Sequence, residues 1–203
     1  MLFRSNFIIK QLAETDNVIG NIDLLTYAGN IENLKNIESD NRNRYSFFKG
    51  DITCKKFIEE TVDHFKPEAL IHFAAESHVD RSIHGPMRFV ETNVFGTTVL
   101  LETCYKYLRN NSDSAFRFIH VSTDEVFGSL DDTGFFNENS PYKPNSPYAA
   151  SKAASDHLAR AWYHTYNFPV IITNCSNNFG PYQFPEKMIP LMITNCINEK
   201  DLP

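Results

Sequence analysis

Residues 116–125 have the sequence FRFIHVSTDE, an apolar run that ends in four polar residues. The run Phe116–Ser122 predicts a buried strand of a parallel sheet, because such strands are covered on both faces. Thr123, Asp124 and Glu125 would then lie at the carboxyl end of that strand. Open parallel sheets bind their ligands at this end. The stretch therefore indicates both a fold class and the place of a site.

Strand-like and helix-like segments alternate on both sides of this stretch. Strands are predicted at 18–25, 45–50, 69–75, 116–122 and 170–174, and helices at 6–14, 54–65, 86–109, 147–166 and 185–198. The Gly-, Pro-, Asn- and Asp-rich segment 128–146 predicts a loop. This order predicts an α/β fold with a doubly wound parallel sheet of the Rossmann type.

Composition excludes several classes of protein. The chain has 203 residues, of which 42% are hydrophobic and 22% charged, a balance that supports a globular core. A net charge of -6 without a long basic run argues against a nucleic-acid partner. No apolar run is long enough to cross a bilayer. The first residues do not resemble a signal peptide, so we expect a cytoplasmic protein without a membrane partner.

The cysteines predict neither a zinc site nor a disulfide framework. Cys54, Cys104, Cys175 and Cys196 lie far apart and form no CxxC pair. We expect buried free thiols in a reducing compartment.

Polar residues follow each of the predicted strands. Since the carboxyl ends of parallel strands meet at one edge of the sheet, five such strand ends favour a common site over chance. The groups are Asp23, Asp51, Glu76-Ser77-His78, Thr123-Asp124-Glu125 and Asn177-Asn178.

Tyr148 and Lys152 are four residues apart in the predicted helix and share one face. An ammonium near the phenol would lower the pKa of Tyr148, which could then accept a hydroxyl proton while hydride leaves the same carbon. This spacing alone is common by chance and fits an exposed helix face equally well. The preceding strand, which ends in Ser122-Thr123, favours the functional interpretation.

Asp124 and Glu125 have two interpretations. Adjacent carboxylates after a strand are often solvated loop residues. Elimination of water, however, needs a base to remove a proton from one carbon and an acid to protonate the leaving hydroxyl, and paired carboxylates in different environments supply both.

Acidic and histidine side chains elsewhere suggest weaker hypotheses. Asp23, at the end of a predicted strand, is placed to bond the adenosine ribose hydroxyls of NAD in preference to NADP. His72, Glu76 and His78 suggest a metal site, but no further ligand is apparent, so we assign none. We predict instead that His72 is a hydrogen-bonded core residue.

Six stretches together resemble the extended short-chain dehydrogenase/reductase family, and within it the 4,6-dehydratases that act on dTDP-glucose. They cover nearly the whole chain. Epimerases of the same superfamily keep the tyrosine and lysine but lack the Asp-Glu pair. The stretches are DLLTYAGN (23–30), HFAAESHVDRSIHGP (72–86), ETNVFGT (91–97), HVSTDEVFG (120–128), SPYAASKAASDHL (146–158) and TNCSNNFGPYQFPEKMIP (173–190).

The resemblance implies a role for each catalytic residue. Tyr148 removes the proton of the sugar 4-hydroxyl as hydride passes from carbon 4 to NAD, while Lys152 holds the nicotinamide ribose. Thr123 hydrogen-bonds the 4-hydroxyl. Glu125 takes the carbon 5 proton and Asp124 protonates the departing 6-hydroxyl. Hydride then returns to carbon 6, so the net reaction is a dehydration that serves deoxysugar synthesis.

The resemblance also implies binding residues. The cofactor-binding positions are Asp23, Leu25, Thr26, Asp51, Ile52, Phe73, Ala74, Ala75, Thr92, Tyr148, Lys152 and Asn178. The substrate-binding positions are Ser77, Thr123, Asn177, Lys187 and Met188. Phe127 stands where the family commonly has tyrosine.

The chain departs from the family at its ends. The family begins with a strand and a Gly-rich turn ending like GFIGSN, whereas here Met-Leu-Phe-Arg precedes Ser5-Asn6. We therefore expect a fold that lacks the first strand and the Gly-rich turn. Residues 1–180 would form an incomplete NAD-binding domain, and 181–203 would begin a sugar-nucleotide domain. We expect a chain of this extent to be poorly stable and inactive alone, since losing a central strand leaves unpaired edges.

Other functions remain open at this stage. A 4,6-dehydratase of a UDP- or GDP-linked sugar differs mainly in base recognition, although LTYAGN and ESHVDRS favour dTDP. Asp124-Glu125 argues against an epimerase or a decarboxylase. A non-catalytic fragment is the hypothesis from another class. A homodimer is expected for the complete enzyme, through the helices 86–109 and 147–166.

Overall fold

A computed structural model describes residues 2–35, 37, 43–111, 115–130 and 133–202. Its strands are β1 (Ile19–Asp23), β2 (Tyr45–Lys49), β3 (Ala69–His72), β4 (Arg117–Thr123) and β5 (Val170–Cys175). Its α-helices are α1 (Leu2–Glu14), α2 (Lys55–Phe65), α3 (Val79–His84), α4 (Pro86–Phe89), α5 (Thr97–Asn110), α6 (Pro147–Tyr166) and α7 (Met188–Ile197). The described residues also include two 3₁₀ turns, Ile31–Leu34 and Asp124–Phe127, and a π-helical segment, Val90–Gly96.

The predicted alternation of strands and helices is confirmed, with corrections of detail. The strand predicted at 69–75 ends at His72, because the chain turns into the loop before Glu76. The helix α3 was not predicted. The helix predicted at 86–109 is a succession of α4, the π segment and α5. The segment 128–146 has no helix or strand in its described residues, as expected for a loop.

The chain divides into two compact units. The first consists of Met1–Lys49 with Asn177–Pro203, and the second of Gly50–Ser176. The domain boundary expected at residue 180 remains a prediction.

The first unit contains a two-stranded parallel sheet. β1 and β2 pair in a register that places Ile19 opposite Tyr45. Ile8 and Leu12, one turn apart on α1, pack with Leu34 and Tyr45 in a buried apolar cluster. The helical spacing of the two α1 residues accounts for this contact, since residues four apart share a face.

The second unit contains a three-stranded parallel sheet in the order β3-β4-β5. In its core the ring of Phe168 lies 6.0 Å from that of Phe116 and 5.8 Å from that of Phe118. All three rings are fully buried. Burial of each such side chain contributes about 1.5–3 kcal/mol to folding. This core fixes β4, the strand that leads to the candidate site.

The π segment fastens the loop after β3 to α6. Its residue Asn93 is buried, and its side-chain amide accepts from the Glu76 backbone N at 2.8 Å and donates to the Glu76 carbonyl at 2.9 Å. The same amide donates to Ser151 Oγ at 2.9 Å. Gly96 ends the segment, and a Cβ there would lie 2.6 Å from Ile52 Cδ1. The segment therefore packs too closely on the loop after β2 for a larger residue.

The predicted fold class, an α/β fold with parallel strands of the Rossmann type, is confirmed. Within the described ranges, hydrogen-bonded strands form the sheets β1-β2 and β3-β4-β5. No helix among these residues is long and apolar enough to span a bilayer.

The prediction for the cysteines is partly wrong. All four thiols are free, but Cys54 and Cys196 are exposed and only Cys104 is fully buried. The two exposed thiols lie at the start of α2 and near the end of α7. The pattern of apolar residues in the sequence did not predict that these positions are exposed.

Candidate active site

The polar residues after β4 form a capped turn. The Thr123 side chain, 7% exposed, accepts a hydrogen bond from the Glu125 backbone N at 3.3 Å and so begins the 3₁₀ turn. Val126 and Phe127 anchor the turn by packing with Ala153 of α6. Asp124 and Glu125 are therefore held half-buried beside the strand end.

Gly128 closes the turn with a backbone conformation that favours glycine. Its φ is +96°, and a Cβ would lie 2.5 Å from the Lys143 carbonyl oxygen. The Lys143 backbone N donates to the Val126 carbonyl at 2.9 Å, which clamps the following loop onto the turn. The position of both carboxylates thus depends on this glycine.

The start of α6 places Tyr148 and Lys152 against β4. Ser146 caps the helix by accepting from the Ala149 backbone N at 3.0 Å, and Pro147 occupies the first turn. Tyr148 is 8% exposed and Lys152 3% exposed. Lys152 Nζ donates to the Val121 carbonyl of β4 at 2.8 Å. The structure therefore brings the predicted tyrosine and lysine to the same strand as Thr123.

The direction predicted for the Tyr148 pKa is wrong. Burial raises the pKa of the Tyr148 phenol and the Glu125 carboxylate raises it further, while a hydrogen bond from Thr123 opposes both. Burial lowers the pKa of Lys152 to about 8, against the opposing charge of Asp156. The sequence pattern showed the helical spacing but not the depth of burial, and the loss of hydration is the largest cause of both pKa shifts.

The residues predicted around β2 and β3 lie in the second unit. Asp51 Oδ1 accepts from the Thr53 backbone N at 2.8 Å, and Ile52 is buried. Thr92 is half-buried in the π segment, and Ser77 is exposed. Phe73, Ala74 and Ala75 are half-buried in the loop that follows β3.

Glu76 and His72 have structural partners. Glu76 Oε1 lies 2.8 Å from Arg88 Nε, and its backbone is held by Asn93. His72 Nε2 lies 2.9 Å from Thr97 Oγ1 inside the core, which confirms the hydrogen-bonded core histidine. No group of three potential metal ligands converges within the described part of the chain.

The remaining predicted residues lie in the first unit. Asp23 forms an ion pair with Arg4, and its Oδ1 accepts from the backbone N of Leu25, which has a φ of +56°. The Thr26 carbonyl accepts a hydrogen bond from Gly29 N at 2.7 Å. Asn177, Asn178 and Met188 are exposed, and Lys187, directly before α7, is half-buried. The predicted site residues are thus distributed over both units.

Asn93, His120 and Asp156 were not among the site residues predicted from the sequence. Asp156 is 1% exposed, and its Oδ1 lies 3.0 Å from His120 Nε2. A signal was present, since Asp156 follows Lys152 by one turn of the same helix face. Because an acidic residue in a helix is usually solvated, the burial of Asp156 was not predicted.

The residues around Lys152 fit the nicotinamide ribose of NAD. An ammonium carries three N–H donors, and the bond to the Val121 carbonyl uses one of them. The ammonium lies at the carboxyl end of a parallel strand, where such sheets bind dinucleotides. The phenol of Tyr148 shares this face of the helix.

Comparison with known proteins gives consistent matches. Residues 5–202 match the family model described as GDP-mannose 4,6 dehydratase. A probable dTDP-glucose 4,6-dehydratase of Sinorhizobium fredii is 52% identical over 204 residues, covering 99% of this chain and 58% of that protein. The dTDP-glucose 4,6-dehydratase of Escherichia coli is 54% identical over 200 residues, covering 93% of this chain and 54% of that protein.

Solved structures agree with these relatives. The crystal structure of DesIV, a dTDP-glucose 4,6-dehydratase of Streptomyces venezuelae with NAD bound, matches with a TM-score of 0.88 and 46% identity. The match covers 98% of this chain and 60% of the DesIV chain. The chain thus spans a little over half the length of the proteins it matches.

Proposed function

Since the chain belongs to the GDP-mannose 4,6 dehydratase family, we propose that it carries the catalytic groups of a dTDP-glucose 4,6-dehydratase with bound NAD. The observation that supports this best is the junction of β4 with α6. It combines a capped Thr123-Asp124-Glu125 turn with a buried Tyr148 and Lys152. Asp124 and Glu125 provide an acid and a base, and Tyr148 and Lys152 are the residue types that assist oxidation at a hydroxyl carbon.

Tyr148 is proposed as the base for the sugar 4-hydroxyl. Its pKa is raised by burial, so the phenol needs a fixed positive charge nearby to lose its proton near neutral pH. Lys152, on the same helix face, supplies that charge while its ammonium is protonated. Thr123, next to the phenol, orients the 4-hydroxyl by hydrogen bonding.

Glu125 and Asp124 are proposed as the elimination pair. NAD, when bound, accepts hydride from carbon 4 and returns it to carbon 6. The 4-keto group makes the carbon 5 proton acidic. Glu125 removes that proton and returns a proton to carbon 5 when hydride adds to carbon 6. Asp124 protonates the departing 6-hydroxyl. The capped turn holds these two adjacent residues at the end of β4, which supports their assignment as an acid and a base.

The binding assignments are proposals of the same kind. We assign the cofactor to the strand-end residues named for it above, within an NAD-binding domain over 1–180, and the start of a sugar-nucleotide domain to 181–203. We also propose a homodimer in the cytoplasm. The exposed apolar side chains Met87, Val90 and Phe95 along α4 and the π segment, together with Tyr163 and Tyr166 of α6, support a protein–protein interface there.

A substrate panel tests the proposed function. The complete enzyme that contains this chain is used, because the chain alone is expected to be inactive. It is incubated with dTDP-glucose, UDP-glucose and GDP-mannose, and each product is analysed by mass spectrometry and by its alkaline ultraviolet band. We expect dTDP-glucose to lose one water and to give a 4-keto-6-deoxy sugar. A product of unchanged mass would indicate an epimerase, and no turnover of any substrate would indicate a non-catalytic chain.

The second candidate is a 4,6-dehydratase of a UDP- or GDP-linked sugar. The description of the family model favours it, since that description names GDP-mannose. The relatives at 52% and 54% identity favour dTDP-glucose. In the panel, this candidate predicts loss of water from UDP-glucose or GDP-mannose and not from dTDP-glucose.

A further inference from the structure

A cluster of polar side chains around a buried carboxylate adjoins the proposed catalytic strand end; Asp156, His120 and Ser122 are buried, Tyr142 is half-buried and Asn174 is exposed. Asp156 is its centre, on α6 one turn after Lys152, and is 1% exposed. We call this group the Asp156 cluster. Its members are Asp156, His120, Ser122, Tyr142 and Asn174.

The cluster surrounds the Asp156 carboxylate with donors from separate elements. Ser122 Oγ of β4 donates to Oδ2 at 2.8 Å, and the Tyr142 hydroxyl, from the loop before α6, donates to Oδ2 at 2.9 Å. Asn174 Nδ2 of β5 donates to Oδ2 at 3.4 Å. His120 Nε2 lies 3.0 Å from Oδ1, but its hydrogen bond is to Ser155 Oγ, and Oδ1 has no hydrogen-bond partner among the described residues. A buried carboxylate is costly unless it is hydrogen-bonded or paired. These contacts stabilise a negative charge at this point.

The neighbouring ionisable groups leave Asp156 as the counter-charge of Lys152. His72 of β3 and His120 of β4 are buried, and burial lowers the pKa of each, so both are neutral near pH 7. Cys175 of β5 also faces the lysine. Asp156 opposes the desolvation of the ammonium more strongly than Cys175 does.

We propose that Asp156 is a positioning residue that keeps Lys152 in its charged form and holds Ser122, the residue before Thr123, in place. It acts through these side chains and does not touch the substrate. Its role in catalysis rests on the proposed function of Tyr148 and Lys152. Its effect on the charge of Lys152 rests on the burial of both side chains one turn apart on α6.

The charge of Lys152 can be followed directly by NMR. The protein is labelled with ¹³C at the lysine Cε, the Lys152 signal is assigned with Lys152→Arg, and the signal is titrated from neutral to alkaline pH. In Asp156→Asn, which keeps the side-chain shape but removes the charge, we expect the midpoint to fall by about one pH unit. The alkaline limb of the pH–activity profile should move to lower pH with it.

Tyr142→Phe is the matched control. It removes one hydrogen bond from the same carboxylate oxygen but leaves the charge, so the Lys152 midpoint should stay within about 0.3 pH units of the wild type, well below the shift expected from losing a charge. If Asp156→Asn does not fold, Asp156→Ser gives the same comparison, because its small side chain leaves room for water.

An unchanged midpoint in the charge-removing variant would overturn the proposal. Equal shifts in that variant and in Tyr142→Phe would also overturn it, since loosened packing would then explain both. A lowered midpoint in a protein that does not dehydrate any nucleotide sugar would support the role of Asp156 and reject the proposed function, so the two failures are distinguishable.

Discussion

Burial disfavours the charged form of both Tyr148 and Lys152. The pKa of the phenol is raised and that of the ammonium is lowered to about 8. At the residue scale, the proposed proton transfer therefore requires neighbouring groups that stabilise the charged forms of the phenol and the ammonium. Asp156 is one of them.

Tyr148→Phe should remove the base and leave the fold intact. We expect kcat to fall by about 100- to 10,000-fold, the usual contribution of a positioned acid–base group. The alkaline ultraviolet band of the 4-keto product measures the rate. Arg160→Lys, a conservative change at an exposed residue of the same helix, is the control and should keep wild-type kcat. Equal losses in the two variants would contradict the assignment of Tyr148.

Glu125→Gln should separate oxidation from elimination. Without a base for carbon 5, the substrate should no longer exchange that proton with deuterated solvent, and dehydration should slow by about 100-fold or more. Substrate affinity should change little. The measurement is deuterium incorporation followed by NMR, with the exposed Glu138→Gln as control. Retained exchange at carbon 5 would assign the proton transfer to another group.

At the element scale, the turn after β4 depends on Gly128. Alanine there needs a positive φ and places its Cβ against the Lys143 carbonyl. We expect Gly128→Ala to lower the free energy of unfolding by about 1–3 kcal/mol, measured by urea denaturation. Gly134 also has a positive φ, +115°, but a Cβ added there would meet no other atom within 4 Å. Gly134→Ala should therefore cost less, and equal costs would show that contact with Lys143 is unimportant.

The elements of this fold follow from local signals, and the site geometry follows only in part. Ser146-Pro147 marks the start of α6, and the apolar run before Thr123 marks β4. Neither the π segment nor the place of Asp156 could be predicted, because both depend on packing between distant segments. The Tyr148 pKa was predicted in the wrong direction for the same reason, since spacing along a helix does not reveal burial.

At the scale of the whole molecule, two buried histidines couple stability to pH. Burial lowers the pKa of His72 and His120 in the folded state, so the unfolded chain binds protons more readily below about pH 6.5. The two neutral histidines contribute their full stabilisation above that pH. This stabilisation is lost progressively as pH falls from about 6.5 towards the lowered pKa values of the folded state. We expect the free energy of unfolding to decrease by up to about 1.4 kcal/mol per pH unit for each histidine.

Urea denaturation between pH 7.5 and 5.5 measures this dependence. His72→Gln, which can still hydrogen-bond Thr97, should reduce the slope by removing one titrating group. His84→Gln, on the surface, should leave the slope unchanged. A slope that does not respond to His72→Gln would place the coupling elsewhere.

We propose that Asp124 and Glu125, together with Tyr148 and Lys152, couple an oxidation at carbon 4 to an elimination at carbons 5 and 6. The most direct test uses dTDP-glucose carrying deuterium at carbon 4, with the product analysed by NMR. We predict that the deuterium appears in the carbon 6 methyl group of a 4-keto-6-deoxy product. Deuterium retained at carbon 4, or lost to solvent without dehydration, would contradict the account.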